Sequence, residues 1–264
     1  MSLKLPLVSV IMNCHNGEKY LNYALNSLNS QTYNNWELIF FDNASTDKSK
    51  VLIKKKKNKK IRYFFSKKKL KLYDARNLAV KKAKGRYITF LDTDDMWHKE
   101  KLKKQINFFK NNKNIKFIYS NFYIKNDNKK LNKIGYKKNL PSGKISQYLL
   151  DEYVIGILTV MMEREFFKKV KFDSRYDIIG DFDLFFKLSI ENDIGIIQKP
   201  LAYYRIHDNN HSKKFDVYLN EFNKWLELNK TYCDKKGLNL IKFKLYILKL
   251  KVKKILSILG FKIN

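Results

Sequence analysis

The sequence predicts an α/β fold in which helices cover both faces of a mainly parallel sheet. Short runs rich in β-branched and aromatic residues alternate with segments whose apolar residues recur at helical spacing. This alternation is typical of parallel sheets, because parallel strands need a crossover connection and a helix usually provides it. The chain has 264 residues and a hydrophobic fraction of 44%, which is enough for one large domain with a real core.

Four strands are expected in the N-terminal part, each an apolar run consistent with burial on both faces. Helices connect them, and Gly85 ends the helix before the fourth strand. The predicted strands are residues 7–12, 36–41, 61–65 and 86–91, and the predicted helices are residues 20–28, 46–58 and 74–84.

The rest of the chain is predicted to continue this pattern and then to become helical. Residues 125–144 are polar and rich in turn-forming residues, which favours a hairpin and a loop. Further strands are predicted at residues 115–124 and 158–162 and as a pair around Pro200 within 195–204, and further helices at residues 98–112, 163–169, 181–192 and from about 215 to the end.

The chain carries 55 Lys and Arg against 25 Asp and Glu, a formal net charge of +30. Nucleic-acid-binding proteins often have such a charge, so this class is kept as an alternative. Only six of the basic residues are arginine, however, and guanidinium groups are the ones that bind phosphates and bases bidentately. The composition therefore favours a solvated or membrane-facing lysine surface and argues against a nucleic-acid partner.

The two cysteines, Cys14 and Cys233, are too few for a disulfide framework, which fits a reducing compartment. The first residues lack the pattern of a signal peptide. The longest uncharged apolar run, residues 153–162, is shorter than the roughly 20 residues that a spanning helix needs. We expect a cytoplasmic protein, either soluble or peripheral on the inner face of the cytoplasmic membrane.

Three carboxylates directly follow the fourth predicted strand, in the sequence LDTDD at residues 91–95. Open α/β sheets bind ligands at the carboxyl ends of their strands. Asp92, Asp94 and Asp95 would repel one another without a cation, and their oxygens suit Mg²⁺ or Mn²⁺ bridging a diphosphate. The alternative is a solvated acidic turn before a helix that starts near Trp97.

Five stretches in a fixed order favour the metal interpretation. They are IMNCHNGEKYL (11–21), FDNASTD (41–47), ARNLAVKKAKGRYITFLDTDDMW (75–97), GDFDLFFKL (180–188) and YYRIHDNNHS (203–212). Together they resemble the nucleotide-sugar glycosyltransferases of family 2, over roughly residues 6–212. The resemblance implies the GT-A fold, with a Rossmann-like, mixed and mainly parallel sheet flanked by helices.

The resemblance also implies an organisation and an activity. Residues 1–212 would form the catalytic domain, with a nucleotide-sugar half at about 1–97 and an acceptor half at about 98–212. Residues 213–264 would form a lysine-rich helical extension. The implied reaction is an inverting transfer of a hexosyl or N-acetylhexosaminyl group from a nucleotide-diphospho donor, taken to be a UDP-sugar, to a glycan or lipid-linked acceptor in bacterial surface polysaccharide synthesis.

Residue by residue, the resemblance places Asp92 and Asp94 at the family's DxD pair, which binds the donor ribose and a divalent metal, Mn²⁺ or Mg²⁺. Asp94 matches the direct metal ligand, and His207 matches the histidine that completes the metal and diphosphate site. Arg76 matches an arginine near the donor, where a cation suits a pyrophosphate. The donor-binding residues implied in this way are Asn13, His15, Asp42, Asn43, Arg76, Asp92, Thr93 and Asp95.

Two donor positions depart from the family's pattern. His15 stands where the family has an aromatic residue that stacks on the nucleobase, and an imidazole can still stack. Asp42 and Asn43 stand where the family often has two aspartates. The Asn43 amide oxygen can still accept a hydrogen bond from uracil N3–H, so uridine remains the expected nucleoside.

The resemblance places Asp181 at the catalytic base. An inverting transfer needs one base within hydrogen-bond reach of the acceptor hydroxyl. Gly180 replaces the family's Glu, and Lys187 replaces its Arg. Without the resemblance, Asp181 would be interpreted as the N-cap residue of a helix. Gly180 keeps a second class open, a non-catalytic protein of this fold that binds a sugar nucleotide or a partner enzyme.

Four further residues are weaker candidates. Trp97 could stack on the acceptor sugar beside Asp181, although a packing role is the alternative. His211 is a second candidate metal ligand. Lys213 and Lys214 lie in a polar segment that could close over the donor.

Residues 238–264 carry seven lysines and no acidic residue. At about 100° per residue they form a helix with two apolar faces divided by lysines. One face can pack on the catalytic domain and leave the other for an anionic membrane surface, whereas a homodimer or an intramolecular helix pair is the alternative. The first face comprises Ile241, Leu245, Leu248, Val252, Ile255, Leu256 and Leu259, and the second comprises Phe243, Ile247, Leu250 and Phe261.

Overall fold

The computed structural model describes residues 5–126, 132–208, 210 and 214–258. The strands are β1 (Val8–Cys14), β2 (Trp36–Asn43), β3 (Ile61–Ser66), β4 (Tyr87–Phe90), β5 (Met96–Trp97), β6 (Phe117–Asn126), β7 (Lys133–Ile134), β8 (Met161–Glu163) and β9 (Gly195–Ile206). The helices are α1 (Glu18–Asn29), α2 (Ser49–Lys55), α3 (Leu72–Lys81), α4 (Lys101–Asn111), α5 (Ser146–Asp151), α6 (Arg164–Val170), α7 (Gly180–Glu191), α8 (Phe215–Lys235) and α9 (Ile241–Ile258).

Six of the nine strands in this part of the chain point in one direction. Strands β3, β2, β1 and β4 are parallel neighbours in that order, and β6 and β9 form a second parallel pair. Strand β8 lies between β4 and β6, antiparallel to both, whereas β5 and β7 are antiparallel to β9 and β6. The predicted α/β class with a mixed, mainly parallel sheet is therefore confirmed.

Both faces of the central strands are buried. In β1, Val10 belongs to the core cluster on the side of α1 and α4, and Ile11 belongs to the cluster on the side of α3 and α7. Successive side chains of a strand point to opposite faces, and burying each such side chain contributes about 1.5–3 kcal/mol. This two-sided burial explains why the strand is an uninterrupted apolar run.

The loops after β1, β2 and β4 meet at the carboxyl edge of the sheet. The Asn16 backbone N–H donates to Ser45 Oγ at 3.1 Å, which joins the first loop to the second. A Cβ at Gly17 would lie 3.0 Å from Thr93 Oγ1, so the first loop also packs closely on the acidic loop. The three loops next to the predicted donor-binding residues at the ends of β1, β2 and β4 therefore adjoin one another.

The predicted strand pair around Pro200 is wrong, because residues 195–206 form the single strand β9. Its register on β6 shifts between Ser120 and Phe122, and such an irregularity accommodates a proline, which has no N–H to donate. Strand β9 also pairs with β5 through Trp97 and Ala202. Trp97 therefore lies in a short strand, and the following helix begins only at Lys101.

The predicted helical region from about residue 215 consists, within the described residues, of two helices separated by a turn. Helix α8 ends at Lys235, and Gly237 has a φ of +67°, the left-handed conformation that commonly ends helices. Helices α8 and α9 then pack on α7, with the Phe182 ring centroid 5.0 Å from that of Trp225 and 5.6 Å from that of Phe243. The division into a catalytic domain and an extension at residue 212 remains a prediction.

Candidate active site

A cavity of about 300 Å³ opens beside the carboxyl end of β4. Asp92, Asp94 and Asp95 line it together with Arg76 from α3 and Asp181 from α7. The structure thus brings the predicted base next to the predicted acidic loop, although some 90 residues separate them in sequence. Aromatic side chains complete one part of the wall: Tyr73, Phe122, Tyr136, Tyr153 and Tyr204.

Arg76 holds Asp92 in place. Its guanidinium is almost fully buried, at 4% exposure, and Nη2 donates to both carboxylate oxygens of Asp92 at 2.8 Å. Arg76 Nε is also buried and has no hydrogen-bond partner among the described residues. The cavity wall therefore includes a fixed cation, which suits an anionic ligand.

Asp94 pairs with His207, and the sequence analysis predicts both residues in one metal and diphosphate site. His207 Nε2 lies 2.9 Å from Asp94 Oδ2, and the imidazole follows the end of β9. Burial, and then the neighbouring Asp92 charge, raise the pKa of Asp94. A positive ligand at this point would relieve that repulsion.

Asp95 secures the acidic loop to β9. Its Oδ1 accepts a hydrogen bond from the Arg205 backbone N–H at 3.0 Å, and Arg205 Nε donates to the Asp94 carbonyl oxygen at 3.0 Å. Burial and the Asp94 charge raise the pKa of Asp95 well above its ordinary value. The sequence patterns did not predict a role for Arg205, although it lies two residues before His207, which the motif indicates.

The donor set suits a divalent cation that a substrate helps to hold. No cluster of three or more His, Cys, Asp or Glu side chains forms a metal cage within the described ranges. Mg²⁺ and similar hard ions are usually bound by one or two carboxylates, several waters and substrate phosphates, so a full protein cage is not required. Asp94 and His207 provide such a partial set, whereas both oxygens of Asp92 already accept from Arg76.

Asp181 lies in the first turn of α7. Its Oδ1 accepts from the Phe182 backbone N–H at 2.8 Å, and its own backbone N–H donates to Tyr73 Oη at 3.1 Å. Burial raises the pKa of Asp181, and the nearby positive charge of Arg76 opposes this rise. The carboxylate is therefore a stronger base than a solvated aspartate and is held in one orientation.

Two residues that the sequence analysis missed hold the start of α7. Tyr73 Oη donates to the Ile178 carbonyl oxygen at 2.6 Å, and Glu221 of α8 accepts from the backbone N–H groups of Ile178 and Ile179 at 2.9 and 3.0 Å. Unpaired N–H groups at a helix start need such acceptors. No local sequence signal connects Glu221 with residues some 40 positions earlier.

Gly180 leaves room for the Tyr73 ring. A Cβ at residue 180 would lie 2.5 Å from ring carbon Cε2 of Tyr73, a distance that real contacts do not reach. The Tyr73 ring therefore fills the space that a larger side chain at residue 180 would need. This arrangement explains the departure at Gly180 by packing, without reference to any loss of activity.

Gly180→Ala is accordingly expected to destabilise the protein by about 1–3 kcal/mol, the usual cost of overpacking a core position. Urea denaturation measures the effect. The double variant Gly180→Ala with Tyr73→Leu should recover part of the loss, because the smaller side chain gives the new methyl group room. If the double variant instead lost as much free energy of unfolding as the two single variants together, the contact between residue 180 and the Tyr73 ring would not be responsible.

The predicted nucleoside-binding residues Asp42 and Asn43 lie at the carboxyl end of β2 and are hydrogen-bonded to neighbouring segments. Asn43 donates from Nδ2 to the Leu70 carbonyl oxygen and accepts on Oδ1 from the Leu70 N–H, both at 2.9 Å. Asp42 is fully buried and accepts from Tyr63 Oη at 2.8 Å and from the Ser45 N–H at 2.9 Å. Both buried side chains therefore hold the loop after β2 in place through these hydrogen bonds.

His15 and Asn13 are better placed for a ligand. The His15 ring is exposed, and its Nδ1 lies 3.0 Å from the Asn43 carbonyl oxygen, which orients the ring. Both polar atoms of the Asn13 side-chain amide are buried without a hydrogen-bond partner among the described residues. An unpaired buried amide is costly, so a ligand group that pairs with it would bind favourably.

Trp97 packs in the core and does not line the cavity. Its Nε1 donates to the Leu158 carbonyl oxygen at 2.9 Å, and the buried Lys101 Nζ lies 4.1 Å from its ring centroid. The structure thus favours the packing role over direct acceptor contact. His211 and Lys213 lie outside the described residues, as do Leu259 and Phe261, and Lys214 is exposed.

Solved structures identify the class of this fold. S. aureus TarS 1-349 in complex with UDP-GlcNAc matches with a TM-score of 0.68 and 21% identity, over 89% of this chain and 71% of that chain. Mannosyltransferase PcManGT from Pyrobaculum calidifontis, in complex with GDP-Man and Mn²⁺, matches with a TM-score of 0.64 and 14% identity, over 84% and 64% of the two chains. The chain therefore has the GT-A fold.

Sequence comparison then specifies the family. Glycosyl transferase family 2 matches residues 9–171. The Escherichia coli protein named UDP-Glc:alpha-D-GlcNAc-diphosphoundecaprenol beta-1,3-glucosyltransferase WfgD is 33% identical over 191 residues, which are 72% of this chain and 73% of that protein. The chain belongs to glycosyl transferase family 2, as its motifs implied.

Proposed function

We propose that the protein is an inverting, divalent-metal-dependent glycosyltransferase that moves a sugar from a UDP-sugar to a hydroxyl of a lipid-linked or glycan acceptor. The observation that carries this proposal is the cavity in which Arg76, Asp92 and Asp94 meet Asp181. Groups suited to a diphosphate and a group suited to proton removal converge there.

Asp181 would remove the proton from the acceptor hydroxyl as that oxygen attacks the anomeric carbon. Burial raises the pKa of its carboxyl group and so increases its strength as a base, whereas the Arg76 charge opposes this rise. The attack inverts the anomeric centre when it comes from the face opposite the diphosphate. One carboxylate is enough for this reaction, whereas a retaining mechanism requires a second group as nucleophile.

The departing diphosphate needs compensation for its developing negative charge. Arg76 provides a preorganised cation in a partly desolvated cavity, where such charges act strongly. Asp94 and His207 would hold a Mn²⁺ or Mg²⁺ ion, which supplies further charge neutralisation when bound.

The names of the related proteins support the choice of substrates. TarS is described in complex with UDP-GlcNAc, and WfgD is named for a UDP-Glc donor and a GlcNAc-diphosphoundecaprenol acceptor. In this chain, the partly exposed Tyr136 and Tyr153 are aromatic side chains of the cavity wall, where a sugar ring of the acceptor can stack. A hexosyl or N-acetylhexosaminyl donor and a polyprenyl-diphosphate-linked sugar acceptor follow as the proposed pair, within surface polysaccharide synthesis.

A donor screen tests the proposal. UDP-glucose, UDP-GlcNAc, GDP-mannose and a dTDP-sugar are each offered with Mn²⁺ or Mg²⁺ and a synthetic GlcNAc-diphospho-lipid, and the release of nucleoside diphosphate is measured. We expect turnover with a UDP-sugar that depends on the metal and on the acceptor. Tight binding of a sugar nucleotide without any turnover would instead favour the non-catalytic class, and tight, salt-sensitive binding to duplex DNA would favour the nucleic-acid class.

A further inference from the structure

Helix α9 has one face docked on the protein. Phe243 and Ile247 are at most 3% exposed, and the Phe243 ring also packs on Trp225 with centroids 5.0 Å apart. At the margins of this face, Lys242 pairs with Asp151 at 2.9 Å and Lys254 pairs with Asp216 at 2.7 Å. These contacts fix the rotation of the helix, and thus decide which residues face outward.

The opposite face of α9 is an exposed apolar stripe. At about 100° per residue, its members cluster within about 100° of arc, centred away from Phe243 and Ile247. Each is at least 37% exposed, and nothing in the described part of the chain covers them. The stripe consists of Ile241, Leu245, Leu248, Val252, Ile255 and Leu256.

Unpaired lysines border the stripe on both sides. Lys249 and Lys253 lie along one border and Lys244 and Lys251 along the other, all of them exposed. None of the four forms an ion pair with a described residue, in contrast to the lysines that dock the helix, and residues 238–264 include no acidic side chain. The outward face is therefore apolar along its centre and positive along both edges.

We propose that this face of α9 lies in the headgroup region of an anionic lipid bilayer, with the stripe at the acyl boundary and the four lysines at the phosphates. An amphipathic helix with lysines along its polar borders has the form that binds such an interface. A second copy of the chain is disfavoured as the occupant, because pairing two stripes would bring lysine borders together without any acidic residue on α9 to compensate. None of the described helices is long and apolar enough to cross a membrane.

The docked face connects this surface to the candidate active site. Phe243 stacks on Phe182, which directly follows Asp181, so α9 and the proposed base belong to one packed unit. Membrane binding itself does not rest on the proposed reaction. If that reaction is correct, the surface would keep the cavity near an acceptor whose lipid is anchored in the same bilayer.

Vesicle co-sedimentation of the full chain tests the proposal. The vesicles are made of phosphatidylcholine alone or of phosphatidylcholine mixed with phosphatidylglycerol. The wild type should bind only the mixed vesicles, and less as salt is added. Lys249→Glu with Lys253→Glu should lower the partition coefficient by at least about thirtyfold, and Leu248→Gln with Val252→Gln should lower it comparably.

Matched controls separate this surface from net charge and from misfolding. Lys55→Glu with Lys59→Glu makes the same charge change at exposed positions near α2 and should bind as the wild type does. Circular dichroism and donor turnover in detergent should be unchanged in all variants. Equal binding to both vesicle types, equal loss in the control variant, or a dimer that requires Leu248 and Val252 without vesicle binding would each overturn the proposal.

Discussion

Asp181→Asn is expected to lower kcat by about a hundredfold to ten-thousandfold while donor binding is unchanged, because the amide cannot accept the acceptor's proton. Measurements of kcat and of UDP-sugar affinity by calorimetry check the two parts separately. Asp193→Asn makes the same chemical change at an exposed position and should leave both quantities as they are. Normal turnover in the Asp181 variant would exclude the residue as the base.

The pH dependence follows from the same side chain. Transfer should slow as pH falls through the pKa of Asp181, and this should occur above the range of a solvated aspartate because burial raises that pKa. Arg76, Tyr73, Tyr153 and Tyr218 interact electrostatically with this carboxyl group, and Asp92, Asp94 and Asp95 line the same cavity.

Asp181→Asn should also raise thermal stability at neutral pH. A carboxyl group whose pKa is raised by folding stabilises the fold below its unfolded pKa, and this stability is lost as pH rises through the folded value. At neutral pH the carboxyl group of Asp181 therefore lowers the free energy of unfolding, and the neutral amide removes this destabilisation. A higher melting temperature together with lost turnover would distinguish a functional carboxylate from one retained for stability.

Asp94→Asn is expected to abolish Mn²⁺ binding in the presence of UDP and to slow transfer by at least about a hundredfold. A neutral amide is a poor ligand for a hard divalent cation, and the cation's neutralising charge would be lost with it. Calorimetric titration of Mn²⁺ into the protein with UDP measures binding independently of turnover.

Asp92→Asn is the informative comparison for Asp94. Both oxygens of Asp92 accept from Arg76, so its loss should disturb the guanidinium and weaken donor binding more than metal binding. If Asp94→Asn bound Mn²⁺ as tightly as the wild type, the metal would have to be held elsewhere, with Asp92 as the next candidate.

The candidate site shows which features local sequence patterns can predict. Asp92, Asp94 and Asp95 are indicated by local pattern, because carboxylates after a buried strand indicate ligand chemistry wherever the strand lies. The resemblance adds Arg76, Asp181 and His207. Patterns of this kind need only the strand direction, since the carboxyl ends of parallel strands share one edge of the sheet.

Contacts between distant segments could not be predicted in this way. The pairing of Asn43 with Leu70 uses a side chain that the motif had assigned to uracil, and Tyr73 fills the place of the missing glutamate at Gly180. Each depends on the distance between segments that are remote in sequence. A linear pattern does not contain that distance.

The amino-acid order by itself therefore determined the alternating α/β architecture, the acidic edge of the sheet and the two apolar faces of the last helix, because each follows from local periodicity or from the position of charges along one element. Only the tertiary structure decided which carboxylates share a cavity, which aspartate is held by Arg76 and which face of α9 is left exposed. Those outcomes depend on long-range packing. Phe243 packs on Phe182, and this contact leaves the lysine-bordered stripe on the solvent-exposed side of α9.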